Sequence, residues 1–220
     1  MIDGSACDLP VGKVVCVARN YYEHIKELDN PVPTEPIFFI KPQTAIQSLD
    51  QTIVIPEYSN NCHHETELAI LFDKPLSKAT KEDAEDAICA YGIALDLTLR
   101  DVQQKLKEKG YPWEKAKAFD GSCPVSPFVP KSQFGDPQDT NLKLTVNGEV
   151  RQNESTRLMI NRILDLIVVS TSYFSLQPGD ILLTGTPAGV KRLQSGDELI
   201  LELAEQYRFK TKVDWLSHFI

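Results

Sequence analysis

Short apolar runs separated by turn-forming residues dominate the chain. Residues 12–19 (GKVVCVAR), 37–41 (IFFIK), 52–56 (TIVIP) and 67–72 (ELAILF) are brief and rich in β-branched or aromatic side chains, which predicts strands. Residues 20–29 predict a helix of one or two turns, with Asn20 as its candidate cap and Glu23 three positions on. Three prolines within 30–36 must end it. A second helix is expected over 80–90, opening at Thr80 with acidic residues in its first turn. Residues 93–99 (IALDLTL) read as an alternating or fully buried strand, and 101–110 as a helix closed by Gly110. The clearest local signal is 141–152, where apolar and polar residues alternate on both sides of Asn147-Gly148, the pairing that favours a two-residue hairpin turn. A helix near 156–174 follows. Strands are then punctuated at Pro178-Gly179-Asp180, Gly185, Gly189 and Ser195-Gly196-Asp197. The pattern predicts an α+β fold that is mainly β, with residues 1–11 as an N-terminal extension and 12–220 as a single domain.

Composition narrows the partners. At 220 residues the chain can bury a core without disulfides. A net charge of -8 argues against a phosphate backbone as partner, so no nucleic acid is expected. No apolar run approaches the roughly 18 residues that span a bilayer, and the N-terminus lacks the basic-then-apolar layout of a signal peptide. The cysteines (Cys7, Cys16, Cys62, Cys89, Cys123) are odd in number and widely spaced, which fits neither a disulfide framework nor a zinc ribbon. The expectation is a cytoplasmic protein with a small-molecule partner.

Acidic residues supply the first candidate chemistry. If 62–68 (CHHETEL) is a strand, Glu65 and Glu67 project to the same side with Cα atoms roughly 7 Å apart. Such a pair is either a solvated face or a cation site. Asp96, flanked by Leu95 and Leu97, is expected to be buried, and a buried carboxylate needs a partner. That partner is either Arg100 or a lysine, or a hard cation gripped by three carboxylates from two strands. All-oxygen ligation suits Mg²⁺, with Mn²⁺ as substitute. His63 and His64 raise a zinc alternative, although a regular strand turns His64 away from the glutamates, and His63 reads best as a packed histidine.

The ordered segments ARNYYEHIKE (18–27), FIKPQTAI (39–46), HHETELAI (63–70), YGIALDLTLRDVQ (91–103), WEKAKAFDGSCPVSPF (113–128), VNGEVRQ (146–152) and GDILLTGTPAGV (179–190) resemble the fumarylacetoacetate hydrolase family, most nearly its short acylpyruvase and oxaloacetate decarboxylase-like branch. The resemblance covers most of the chain. It implies a mixed β-sandwich roll with short helices, a catalytic role for the domain, and a homodimer. It implies metal ligation by Glu65, Glu67 and Asp96, a lid-helix pair of His24 and Glu27, a catalytic Lys117, and substrate contacts from Arg19, Arg100, Gln103 and Thr186. The loop around Asn153 and Glu154 and the stretch 28–36 carry no substrate information.

Within that resemblance, His24 and Glu27 stand at i and i+3 on one helix face, where a carboxylate can orient an imidazole base. Lys117 and Phe119 would both face inward if their segment were extended. Thr186, after the strand DILL, is expected to help hold a substrate carboxylate. The leading expectation is Mg²⁺-dependent hydrolysis of a carbon–carbon bond in acylpyruvates or related 2,4-dioxo acids. Oxaloacetate decarboxylation or keto–enol tautomerisation is the alternative, and an inert metabolite-binding relative is the non-enzymatic one.

Overall fold

The computed structural model describes residues 1–4 and 7–215; Ser5, Ala6 and 216–220, which belong to the two expected segments, lie outside the described residues. The strands are β1 (Val14–Ala18), β2 (Ile37–Lys41), β3 (Ile46–Ser48), β4 (Ile53–Ile55), β5 (Cys62–His63), β6 (Thr66–Phe72), β7 (Ile88–Leu95), β8 (Thr98–Leu99), β9 (Cys123–Val125), β10 (Val129–Pro130), β11 (Asn141–Val146), β12 (Glu149–Ser155), β13 (Ile181–Leu183), β14 (Glu198–Leu203) and β15 (Tyr207–Trp215). The helices are α1 (Tyr22–Glu27), α2 (Lys81–Ala87), α3 (Arg100–Glu108), α4 (Glu114–Lys117) and α5 (Ile163–Thr171). The fold is therefore mainly β with short helices. No helix among the described residues is long and apolar enough to cross a membrane.

The larger sheet has the order β2-β1-β13-β6-β7-β9-β3, with β10 also on β7, and is mixed: β1 lies parallel to β13 while β13, β6 and β7 run antiparallel. A second sheet, β12-β11-β14-β15-β4, packs against it. The period-2 alternation of β6 and β7 decides what each face does. Leu68, Ile70 and Phe72, with Tyr91, Ile93 and Leu95, meet Leu142, Leu144, Leu199, Leu201 and Leu203 of the second sheet in the main core. The opposite parity puts Ala69, Leu71, Ala90 and Ala94 with Val14, Cys16, Cys123 and Leu183 in a smaller cluster on the other face. Every residue of β6 is buried, because both faces are covered.

Local signals behave unevenly. Thr80 caps α2 through a full capping box with Asp83. Asn147 and Gly148 take positive φ of 50° and 81°, the backbone a two-residue hairpin turn requires. Gly110 follows α3 in the left-handed region, at φ 65°. Asn20 does not cap α1: the capping position is Tyr21, with no side-chain cap bond. Asn20 is instead fully buried, donating to the carbonyls of Thr184 and Asn161 and accepting from the Asn161 N–H, so tertiary bonds outcompete the local one. The long helix expected near 156–174 is a single 3₁₀ turn at Thr156–Leu158 followed by α5.

Candidate metal centre and active site

Antiparallel pairing of β6 with β7 aligns Thr66 with Leu95 and Glu67 with Ala94. The start of β6 therefore lies beside the end of β7. Glu65 stands one residue before β6 and Asp96 one residue after β7, joined by a 2.8 Å bond from the Asp96 N–H to the Glu65 carbonyl. Only Glu67 is inside a strand, which corrects the picture of three ligands borne on two regular strands. The parity of Glu67 is that of Ala69, and the parity of Asp96 is that of Ala94, so the carboxylates share the smaller-cluster face. One oxygen from each of Glu65, Glu67 and Asp96 lies within 4.8 Å of the others, and all three residues are at most 5% exposed.

These carboxylates are not electrically alike. Burial disfavours the charge on Glu65, but Arg100 and then Lys117 outweigh it and hold its carboxyl well below the usual range. Burial and then the charges of Asp96 and Glu65 push Glu67 well above its ordinary value, against the 2.6 Å bond it accepts from the Gly185 N–H. Asp96 sits between two ammonium groups. Lys117 Nζ is 2.5 Å from Oδ2 and also 2.8 Å from Glu65 Oε2. Lys41 Nζ is 2.9 Å from Oδ1, but off hydrogen-bonding geometry, so Oδ1 is a buried acceptor without a donor. An all-carboxylate set with an unsatisfied oxygen fits a hard divalent cation.

Neither histidine of the zinc alternative joins this cluster. His64 Nδ1 lies 3.1 Å from Gln152 Oε1 and His63 Nε2 3.0 Å from Asn61 Oδ1. Burial depresses both rings to about 4, so each is neutral at pH 7.

One cavity is lined by Arg19, His24, Glu65, Glu67, Asp96, Arg100, Gln103, Lys117 and Thr186. Of the ten residues singled out in the sequence, Glu27 alone does not line it. Glu27 stands behind His24, with Oε2 3.3 Å from the ring Nδ1 and Oε1 accepting from the Gly189 N–H at 3.0 Å. Fixing Nδ1 this way leaves Nε2 as the ring nitrogen able to exchange a proton with a ligand. Arg19, in the left-handed region at φ 61°, donates to Asn30 Oδ1 at 2.8 Å. Arg100 pairs with Glu65 and donates to Gln103 Oε1 at 3.0 Å, leaving the Gln103 amide N–H groups for a ligand. Lys117 closes α4 rather than lying in an extended segment with Phe119. Its inward aim comes from the carboxylates it pairs with. The Thr186 hydroxyl donates to the Thr66 carbonyl and accepts from Gln152 Nε2, so its one proton is already engaged.

Three contributors escaped the sequence reading. Lys41 ends β2, is fully buried, and bonds the carbonyls of Lys117 and Ser122 as well as pairing with Asp96. Gln152, from the second sheet, uses all its bonding capacity on His64, the Thr66 N–H, Thr186 and the Pro187 carbonyl. Lys107 lines the cavity from α3. Only Lys41 left a trace, as a lone cation closing the apolar run IFFIK.

The model of the fumarylacetoacetate (FAA) hydrolase C-terminal domain matches residues 13–214. The chain belongs to the fumarylacetoacetate hydrolase family. It is 56% identical over 197 residues to the oxaloacetate tautomerase YcgM of Escherichia coli, spanning 89% of this chain and 90% of that one. A crystal structure of a family protein from Yersinia pestis superposes with a TM-score of 0.94 at 50% identity, covering 96% of this chain and 97% of that one. The fumarylpyruvate hydrolase of Pseudomonas aeruginosa, solved with Mn²⁺ and pyruvate, superposes at 0.91 with 34% identity, covering 96% and 93%. The chain is thus a member of an enzyme family whose fold it shares across nearly its whole length.

Proposed function

We propose that this protein interconverts the keto and enol forms of oxaloacetate. The observation that carries the proposal is that one cavity is lined both by a carboxylate cluster fit for a divalent cation and by His24, with Glu27 behind its ring. Tautomerisation needs only those parts, a base and a charge sink. It needs no water nucleophile and no leaving group. Oxaloacetate as substrate is carried over from the name of the 56% identical relative.

Glu65, Glu67 and Asp96 would hold the cation, Mg²⁺ or Mn²⁺ by the hardness of the donor set, and when bound it supplies Lewis-acid polarisation of the 2-oxo group. His24 takes a proton from C3 through the ring nitrogen not engaged by Glu27. The C–H electron pair becomes the C2–C3 double bond and the carbonyl pair moves onto O2. Lys117 directs an N–H at that developing negative oxygen. The proton is then returned to O2, so atoms and charge balance and nothing is consumed. Arg100 and the Gln103 amide anchor the carboxylate next to the 2-oxo group.

The test is the decay of enol absorbance after oxaloacetate is diluted into buffer with Mg²⁺. His24→Ala should slow the catalysed exchange ~10²–10⁴-fold, the usual worth of a positioned acid–base group. Full exchange in His24→Ala would sink the assignment.

A second reading, hydrolysis of acylpyruvates, has its own supporting observation. A mainly apolar cavity of about 270 Å³, lined by Ile37, Phe38, Ile40, Tyr111, Pro112 and Glu114, shares Phe39, Trp113 and Lys117 with the site and has room for an acyl tail. Mg²⁺-dependent loss of acetylpyruvate absorbance at rates rivalling oxaloacetate exchange would favour it.

A further inference from the structure

Helix α3 runs from the carboxylate floor of the cavity to its mouth. Arg100, Gln103 and Lys107 stand at i, i+3 and i+7, the spacing of one helical face, and all three line the cavity. The ladder is graded. Arg100 is paired with Glu65 at the floor, Gln103 is buried and bonded to Arg100, and Lys107 is exposed at the rim. Lys107 lies about 10 Å along the axis from Arg100, at a rise of 1.5 Å per residue. Side chains on a helix lean toward its N-terminus, which brings the ammonium back over the cavity.

What holds Lys107 there is aromatic, not ionic. Its Nζ is 5.3 Å from the centroid of the Trp113 ring, another cavity wall. Among the described residues no carboxylate forms an ion pair with it. Loss of solvent, and then repulsion from Arg19, Arg100 and Lys117, lower its pKa, outweighing the attraction of Glu65. The mouth therefore carries Arg19 and Lys107 without a matching acidic group, while the acidic groups of the cavity are all at the floor, where Arg100, Lys117 and Lys41 already face them. Positive charge left over at a rim is balanced by an anion that arrives from solution.

We propose that Lys107, with Arg19 of the same cavity lining, is a specificity determinant that clamps the second carboxylate of a dianionic 2-oxo acid, the first being held at Arg100 and Gln103. The proposal rests on the assignment of this cavity as the 2-oxo acid site. It goes further by naming the residues that would select 2-oxo dicarboxylates over 2-oxo monocarboxylates. Lys107 touches only the remote end of the substrate, so it acts through affinity and leaves the proton transfer to His24.

The experiment is a binding titration of the full chain in Mg²⁺ buffer, followed by the fluorescence of Trp113, with Trp113→Phe identifying its share of the signal. Oxaloacetate is the dianion and pyruvate the monoanion. The wild type should prefer oxaloacetate. Lys107→Met should weaken oxaloacetate ~10–100-fold, the worth of a hydrogen bond to a charged group, and move pyruvate less than twofold. Lys107→Arg should restore most of the loss. In turnover, Lys107→Met should raise KM for oxaloacetate and leave kcat within a few-fold. Equal weakening of both ligands, an undiminished preference in Lys107→Met, or a wild type without preference overturns the clamp. Enol exchange is read separately. A wild type that binds oxaloacetate with the Lys107-dependent preference but does not exchange its enol refutes the tautomerase assignment and leaves the clamp standing.

Discussion

Lys41 Nζ lies 2.9 Å from Asp96 Oδ1, and neither side chain is more than 2% exposed. The lysine also bonds the Ser122 carbonyl and hydroxyl at 3.1 Å and the carbonyl of Lys117, the last residue of α4. One ammonium thus ties a cluster carboxylate to the helix that carries Lys117. Removing one partner of a buried pair costs about 3–5 kcal/mol when it strands the other charge; Asp96 keeps Lys117, so the loss of Lys41 should cost the lower end, about 3 kcal/mol. Lys41→Met is expected to lose that much stability, or roughly 6–12 °C for a chain of this size, by thermal unfolding in EDTA. The double variant K41M/D96L, which removes both charges, should recover much of it. A single variant as stable as wild type would contradict the ion-pair account.

Much of the centre was legible because its cause is local. Glu65 and Glu67 are two apart next to a strand, and Asp96 sits between leucines, so periodicity and burial each pointed at them. The hairpin at Asn147-Gly148 was legible because positive φ selects its residues. Lys41 was not, because a lysine closing an apolar strand normally carries its charge to water, and only the folded position of Ser122 and Lys117 reverses that. Lys107 was hidden in KLKEK, a run that reads as a solvated helix face. Asn20 was misread because its partners, Thr184 and Asn161, are more than 140 positions away. Gln152 belongs to the second sheet, and no sequence pattern announces that a hairpin residue reaches across to Thr186.

Gly185 couples the turn after β13 to the cluster. Its φ is +92°, and a Cβ there would stand 2.7 Å from the Asn20 Cβ, which the buried bonds of Asn20 prevent from moving away. Its N–H is the 2.6 Å donor to Glu67 Oε2. Gly185→Ala is expected to destabilise by about 1–3 kcal/mol through the disfavoured backbone and to weaken Mn²⁺ binding as that donor shifts. Chemical denaturation and calorimetric titration with Mn²⁺ measure the two effects. Gly196→Ala, with φ +87° but open space around its Cβ, controls for backbone strain without touching the site.

Acid should loosen the His24 support before the core fails. Burial tends to raise the pKa of Glu27, but its bonds with His24 and with the Gly189 N–H prevail and place it below the ordinary 4.5. A depressed carboxylate contributes stability that is present above 4.5 and lost as pH falls through the lower folded value. Unfolding curves taken downward from pH 5 should therefore show a loss of stability in wild type that is smaller in Glu27→Gln. Identical slopes for the two proteins would mean that the Glu27 contacts carry no net stabilisation.

Metal exchange tests the donor set most directly. Among the described residues the cluster consists of three carboxylates without an imidazole, so Mg²⁺ or Mn²⁺ should restore oxaloacetate enol exchange after EDTA stripping, and Zn²⁺ should not. Binding should also be visible without turnover, because a ligand at 100 times its Kd adds about 2.7 kcal/mol of stability. Glu67→Ala should abolish both the activity and the metal-induced stabilisation while the secondary structure, followed by circular dichroism, persists. His24→Ala should lose the exchange but keep the stabilisation, since His24 lines the cavity without joining the carboxylate cluster. Restoration by Zn²⁺ alone would transfer the centre to softer ligands and overturn the carboxylate assignment.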